Sequence, residues 1–230
     1  MRNFRFPFVV IGLLAIFTTQ GWAGALTDQF KESVDKVIKI LDDPSLKSEG
    51  KIKERRAVIS KAAGEIFDFA EAAKRSLGRH WQSRTEEERG EFVRLFGDLL
   101  ERSYFSKIEQ YGGEKIAYLG ESIEGDLGTI RTKITTKSGA DLLVDYRLLP
   151  RNGRWLVYDV SFDGVSLIAN YRTQFNKIIQ SASYQDLVKK LKTKQEETSS
   201  VRDVESLQDE KHASILAAAT ILGVLGRPRN

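Results

Sequence analysis

The sequence predicts an α+β fold, with about four antiparallel strands packed against helices. Two observations predict it. Four strand-like segments follow one another at about 115–123, 129–136, 141–149 and 154–162, with Ser138-Gly139 and Asn152-Gly153 in two of the gaps as hairpin turns. Helical periodicity fills the chain before them and resumes after them. Helices, then a meander, then helices is an order that favours α+β over a parallel α/β sheet.

The elements follow in order. Residues 1–25 have the form of a secretory signal: Arg2 and Arg5, a 12-residue apolar core from Phe6 to Phe17, then small residues at Gly21, Ala23, Gly24 and Ala25. Either Ala23 or Ala25 is a candidate last residue before the cut. An uncleaved anchor is the alternative, but the core is shorter than the ~20 apolar residues of a spanning helix. Leu26, Phe30, Val34, Val37, Ile38 and Leu41 mark a first helix, ending near Asp43-Pro44. A second runs from about Ser48 to Ile66, with Ile52, Ile59 and Ile66 on one side. Phe67-Asp68-Phe69 interrupts it, Ala70 to Leu77 resumes it, and Gly78 caps its C-terminus. Thr85 to Glu88 is a capping box. The helix it opens carries Phe92, Leu95, Phe96, Leu99, Leu100 and Tyr104, and Tyr111-Gly112-Gly113 stops it.

In the last strand, strict alternation puts Trp155, Val157 and Asp159 on one face and Leu156, Tyr158, Val160 and Phe162 on the other. Asp163-Gly164 ends it. Leu167, Ile168, Tyr171, Phe175, Ile178 and Ile179 then form one face of a helix over 166–181. A final helix spans 184–194, with Ser183 as its cap and Asp186 three residues on. From Thr193 the chain turns polar and charged, with little to bury. Ala213 to Gly226 is apolar but only 14 residues long, which suits a docked helix or a surface segment better than a spanning anchor. The expected organisation is a signal peptide at 1–25, one domain at 26–195, and a tail at 196–230 that is disordered or loosely docked.

Composition narrows the function. Residues 1–25 hold two of the 36 basic residues and no acid, so the remainder carries 34 basic against 32 acidic residues, a net +2. That balance lacks the dense basic footprint of a nucleic-acid binder. The chain has no cysteine, which rules out disulfides, thiol catalysis and thiolate metal sites. An exported domain of about 170 residues is still large enough to bury roughly 70% of its unfolded surface.

Candidate chemistry is sparse. Asp159, Ser161, Asp163 and Gly164 match the start of a calcium loop, but Asn170 stands where a bidentate Glu is needed, and a strand precedes the loop. A strand ending in an Asp-Gly turn is the better reading. Ser166 lacks the second glycine of a nucleophile elbow and reads as a helix N-cap. Only His80 and His212 are available as imidazole bases, and no Gly-rich phosphate loop is present. No metal or cofactor is expected. Aromatic residues occur in every predicted element, which suits an ordinary core or the walls of an apolar cavity.

Spread over residues 55–192, in order, stand Phe67-Asp68-Phe69, Leu77-Gly78 with Trp81, Phe92 and Phe96 with Tyr104, and Val144-Asp145-Tyr146-Arg147. Trp155, Tyr158-Asp159-Val160, Gly164-Val165-Ser166-Leu167, Asn170-Tyr171-Arg172 and Gln174-Phe175 follow. With the signal and the lack of cysteine, this set resembles the MlaC family, also called the toluene-tolerance family, periplasmic phospholipid carriers of Gram-negative bacteria. The resemblance implies a strongly curved, cone-shaped sheet with an apolar cavity for the acyl chains of a glycerophospholipid. It implies two partners: an inner-membrane ABC transporter complex with an MCE-domain protein, and an outer-membrane lipoprotein–porin complex. It implies a role in outer-membrane lipid asymmetry and no catalysis. By the same resemblance, Phe67, Phe69, Phe96, Tyr104, Val144, Tyr146, Val157, Val160, Val165 and Tyr171 are the candidate tail contacts. Arg147 and Arg172 are candidates for head-group or partner contact, with a surface ion pair as the alternative for each. The rival function is a secreted enzyme on the same scaffold, acting on an apolar or ester substrate, with His80 its first candidate base.

Overall fold

Short turns generate the sheet. The computed structural model describes residues 24–109, 114–136 and 138–199. Residues 1–23, the 111–113 stop and the segment after 199, including Ala213–Gly226, lie outside them. Strands β1 (Lys115–Glu124), β2 (Leu127–Thr135), β3 (Asp141–Arg151), β4 (Arg154–Phe162) and β5 (Val165–Ser166) pair in sequence order, every pair antiparallel. Asn152-Gly153 joins β3 to β4 with φ of 50° and 78°, and Asp163-Gly164 joins β4 to β5 with 45° and 85°. Two consecutive positive φ values are the mark of the type I′ turn that suits strand twist, and Asn or Asp followed by Gly tolerates them best. The short fifth strand is an addition to the expected four.

Two bulges decide which side chains face inward. Between β1 and β2 the register shifts at Tyr118/Gly120, leaving Leu119 as the extra residue. Between β3 and β4, Arg147 pairs with Asp159 but Leu148 pairs with Val157, leaving Tyr158 extra. This corrects the alternation expected for the last strand. Val157, Val160 and Phe162 oppose Leu148, Tyr146 and Val144, so all six share the inner face. All six are buried.

Helix α1 (Ala25–Asp42) lies on that inner face and buries Leu26, Phe30, Val34, Val37 and Leu41. Phe30 packs on Tyr146 with ring centroids 4.6 Å apart. After two short 3₁₀ turns come α2 (Ile52–Gly64) and α3 (Phe69–Leu77). Their junction is pinned to the free edge of β4: Asp68 N donates to Val157 O and Val157 N to Ile66 O, each at 2.8 Å. Asp68 caps α3 by accepting from Glu71 N at 2.8 Å, and Gly78 ends it.

Helix α4 (Glu86–Glu109) opens on the expected capping box, with Thr85 N to Glu88 Oε2 at 3.0 Å and Glu88 N to Thr85 Oγ1 at 3.2 Å. It packs with α5 (Leu167–Ser181) and α6 (Tyr184–Ser199) through rings. Phe96 meets Tyr171 edge-on at 5.2 Å and Phe175 at 5.6 Å, and Phe92 meets Phe175 at 5.7 Å. Ser166 caps α5 and Ser183 caps α6, as the sequence predicts. Among the described residues no helix is long and apolar enough to cross a membrane.

The start of α1 is held by Glu121 of β1. Its carboxylate accepts from Gly24 N at 2.6 Å and Thr27 N at 2.7 Å, and from the Thr27 hydroxyl. Burial pushes the Glu121 carboxyl upward, but these hydrogen bonds outweigh it and hold it below the usual value near 4.5.

Because the folded carboxyl is lowered, its contribution is fully present above about pH 4.5 and is lost as pH falls through the lowered value. Urea unfolding at pH 7 and pH 3 should therefore show Glu121→Gln losing most of its stability deficit at the acid pH. An equal deficit at both would disprove the assignment. Gly128 has no room for a methyl group: a Cβ there would lie 2.8 Å from Leu26 Cδ2 and 3.2 Å from Trp155 Cζ3. Gly128→Ala should cost about 1–3 kcal/mol in the same assay, and a stability equal to wild type would show that Leu26 moves aside freely.

Candidate functional site

Helix α4 carries two apolar faces. Phe92, Leu95, Phe96 and Leu99 are buried in the core. Val93, Gly97, Leu100 and Tyr104 line a cavity of about 360 Å³ on the other side. Its opposite wall is α2, through Ile59, Ser60 and Ala63. Phe67, Phe69 and Ala72 close one end. Tyr158, Asp159 and Val160 of β4, with Leu167 and Ile168 of α5, form the floor. The volume sits near the lower end of small-molecule sites, and the lining is mainly aliphatic and aromatic. Apart from buried Asp159 in the floor, the charged lining residues are Arg94, Asp98 and Glu101 of α4, with Arg94 and Glu101 exposed, and they join Ser60, whose hydroxyl donates to Glu101 Oε2 at 3.1 Å.

The cavity follows from local sequence. Helix α2 has a single buried residue, Ile59, so it covers the site without filling it. The floor is shaped by the β4 bulge, which turns Tyr158 out of the inner face; the Arg75 guanidinium lies 4.0 Å from its ring centre. Beside it, an ion network braces the α3 end. Arg151 Nε reaches Asp68 Oδ2 at 2.8 Å, Arg151 Nη2 reaches Glu71 Oε2 at 3.2 Å, and Arg75 Nε reaches Glu71 Oε1 at 2.8 Å. Both carboxylates are buried, so they need these partners.

The predicted contact residues fall in several places. Phe67, Phe69, Tyr104 and Val160 line the cavity. Val144, Tyr146 and Val157 lie fully buried on the inner sheet face. Burial carries the Tyr146 hydroxyl well above its usual range. Phe96 and Tyr171 meet each other in the aromatic cluster between α4 and α5. Val165 is about half exposed on β5. Arg147 is half exposed and 3.4 Å from Asp159 Oδ2, and Arg172 is exposed on α5, its aliphatic stem against Gly78. Sequence reasoning missed Val93, Gly97, Ala63 and Leu100 as lining. The signal was present in the width of the apolar stripe on α4, too broad for one face.

The polar candidates are committed to structure. Asp159 accepts from the Ser166 hydroxyl at 2.6 Å and from Ile168 N at 3.1 Å, so its carboxylate organises the start of α5. Ser166 Oγ in turn accepts from Ala169 N at 3.0 Å. Asp163 Oδ1 accepts from Leu143 N at 3.2 Å. His80 Nε2 lies 2.9 Å from Asn176 Oδ1, apart from the cavity lining.

The family model for the MlaC protein matches residues 31–193. The chain belongs to the MlaC family. One similar relative is the intermembrane phospholipid transport system binding protein MlaC of Haemophilus influenzae (strain ATCC 51907 / DSM 11121 / KW20 / Rd), 28% identical over 125 residues. That match covers 52% of this chain and 58% of the relative, so it spans little more than half the relative's length. Among solved structures, a phospholipid-binding protein from Ralstonia solanacearum in complex with a phospholipid is similar at a TM-score of 0.63 and 24% identity. The match covers 73% of this chain and 95% of that one, and establishes a shared fold. The MlaC fold here is thus the mixed helix and antiparallel-sheet architecture that the sequence predicts.

Ala63 is only partly buried and borders the cavity, so a larger side chain there has space to enter it. Ala63→Trp should weaken binding of a fluorescent apolar probe by at least about tenfold, a loss of ~1.4 kcal/mol, with an unchanged circular dichroism spectrum. Unaltered probe affinity would show that the cavity is not where the probe binds.

Proposed function

We propose that this chain is a periplasmic phospholipid carrier, exported by a cleaved signal peptide. The observation that carries the proposal is the apolar cavity between α2, α4 and β4, in a member of the MlaC family. The names of the similar proteins, one a phospholipid transport binding protein and one a phospholipid complex, support the same reading.

The energetics fit a shuttle. Each buried methylene is worth ~0.8 kcal/mol, so exposing one acyl chain to water costs on the order of 12 kcal/mol. A carrier removes most of that barrier without making or breaking a bond. In this reading Phe67, Phe69, Tyr104 and Val160 touch the acyl chain of a glycerophospholipid, and the head group stays near the polar rim. Core residues such as Phe96, Val144, Tyr146, Val157 and Tyr171 hold the walls. Arg147 and Arg172, outside the cavity lining, are suited to a head group or a partner surface. The carrier exchanges lipid with an inner-membrane ABC transporter complex containing an MCE-domain protein and with an outer-membrane lipoprotein–porin complex. That exchange maintains outer-membrane lipid asymmetry.

Native mass spectrometry of the protein recovered from a Gram-negative periplasm tests this directly. A bound glycerophospholipid, reduced in Ala63→Trp, is the expected result. Lipid-free protein that also takes up no phospholipid from vesicles after delipidation would overturn the proposal.

A further inference from the structure

We propose that export processing cuts this chain between Ala23 and Gly24, and that the new Gly24 ammonium binds the Glu121 carboxylate, fastening α1 to β1. The inference rests on the exported reading above. The sequence offers two cutting positions, each with a small residue three back from the cut: Gly21-Trp22-Ala23 and Ala23-Gly24-Ala25. Sequence pattern does not separate them.

The folded chain does. Gly24 N lies 2.6 Å from Glu121 Oε1, and the other carboxylate oxygen takes Thr27 N at 2.7 Å. Gly24 O accepts from Asp28 N at 2.8 Å, completing the first turn of α1. A cut after Ala25 would remove Gly24 and both of its bonds. It would also leave the new charge on Leu26, whose side chain is fully buried. A cut after Ala23 keeps every one of these contacts.

The chemistry is a hydrolysis by a signal-peptidase-type endopeptidase. Water adds to the Ala23 carbonyl carbon and the bond to Gly24 N breaks. Ala23 leaves as the carboxylate end of the leader, and Gly24 N takes up the protons to become an ammonium. An ammonium at a helix N-terminus is opposed by the positive end of the helix dipole. Glu121 offsets it across a short contact, and Asp28 adds a second carboxylate nearby, its Oδ2 3.9 Å from where a Gly24 Cβ would lie. The Glu121 carboxylate is already the charged partner of this hydrogen bond, and the cut makes the donor a full cation as well, so the contact becomes an ion pair.

N-terminal sequencing of protein recovered from the periplasm of a Gram-negative host expressing the full chain should read Gly-Ala-Leu. A Leu-Thr-Asp start would overturn the boundary and leave export intact, whereas cell-bound protein keeping Met1 would overturn both. For the ion pair, thermal unfolding is compared with the Gly24 amine free or enzymatically acetylated. Acetylation should lower the Tm by on the order of 5 °C in wild type and by no more than about 1 °C in Glu121→Gln. Equal drops in both would overturn the ion pair. Should Glu121→Gln fail to fold, a chain starting at Leu26 serves instead: a Tm equal to that of the Gly24-start chain would overturn the latch.

Discussion

Tyr158 occupies β4 as one residue too many opposite the Arg147–Leu148 step of β3, and most of the interior is arranged around that step. A bulge rotates the strand by one residue, so the side-chain parity before it differs from the parity after it. Here the rotation brings Val157 onto the face already held by Val160 and Phe162. It sends Tyr158 outward, under Arg75 of α3. At the same point the backbone of Val157 binds Ile66 and Asp68, which fixes where α2 ends and α3 begins. Two residues on, Asp159 receives the Ser166 hydroxyl and the Ile168 amide, which fixes where α5 begins. Three helix ends are thus referred to two residues of one strand, Val157 and Asp159.

The cavity is the consequence. Tyr158, Asp159 and Val160, with Leu167 and Ile168 of α5, are its floor, and α2 and α4 are its walls. A well-packed interior would close such a gap, since close packing is the rule in protein cores. Helix α2 does not close it because it offers one buried residue, Ile59, while α4 presents Gly97 rather than a bulky side chain. The aromatic cluster of Phe92, Phe96, Tyr171 and Phe175 stiffens α4 and α5 from behind. The Arg151, Asp68, Glu71 and Arg75 network braces the α3 end. A lining left partly unfilled between stiff walls is what an apolar ligand requires.

Much of the fold is legible in the sequence because its signals are local. The capping box at Thr85–Glu88, the caps at Ser166 and Ser183, Gly78 at the end of α3 and the Asn152-Gly153 turn each act within a few residues. The apolar face of α1 is equally plain, since Leu26, Phe30, Val34, Val37 and Leu41 form one stripe. The candidate site is legible only in part. Phe67, Phe69, Tyr104 and Val160 stand in the cavity wall, while Phe96 and Tyr171 turn to each other and Val165 faces outward. An aromatic or β-branched residue satisfies a core and a ligand wall equally well, so residue type does not separate them.

The sequence by itself determined the class of fold, the order of helices and strands, and the absence of any thiol chemistry. These follow from periodicity, capping and composition, which neighbours in the chain enforce. Tertiary structure alone decided the bulge at Tyr158, the division of α4 into a core face and a cavity face, and the attachment of Gly24 to Glu121. Each of those depends on a partner distant in sequence: β3 for the bulge, α2 for the cavity, β1 for the helix start. No local pattern encodes which of two apolar faces meets another element, because that choice is made when the elements dock and bury what they can.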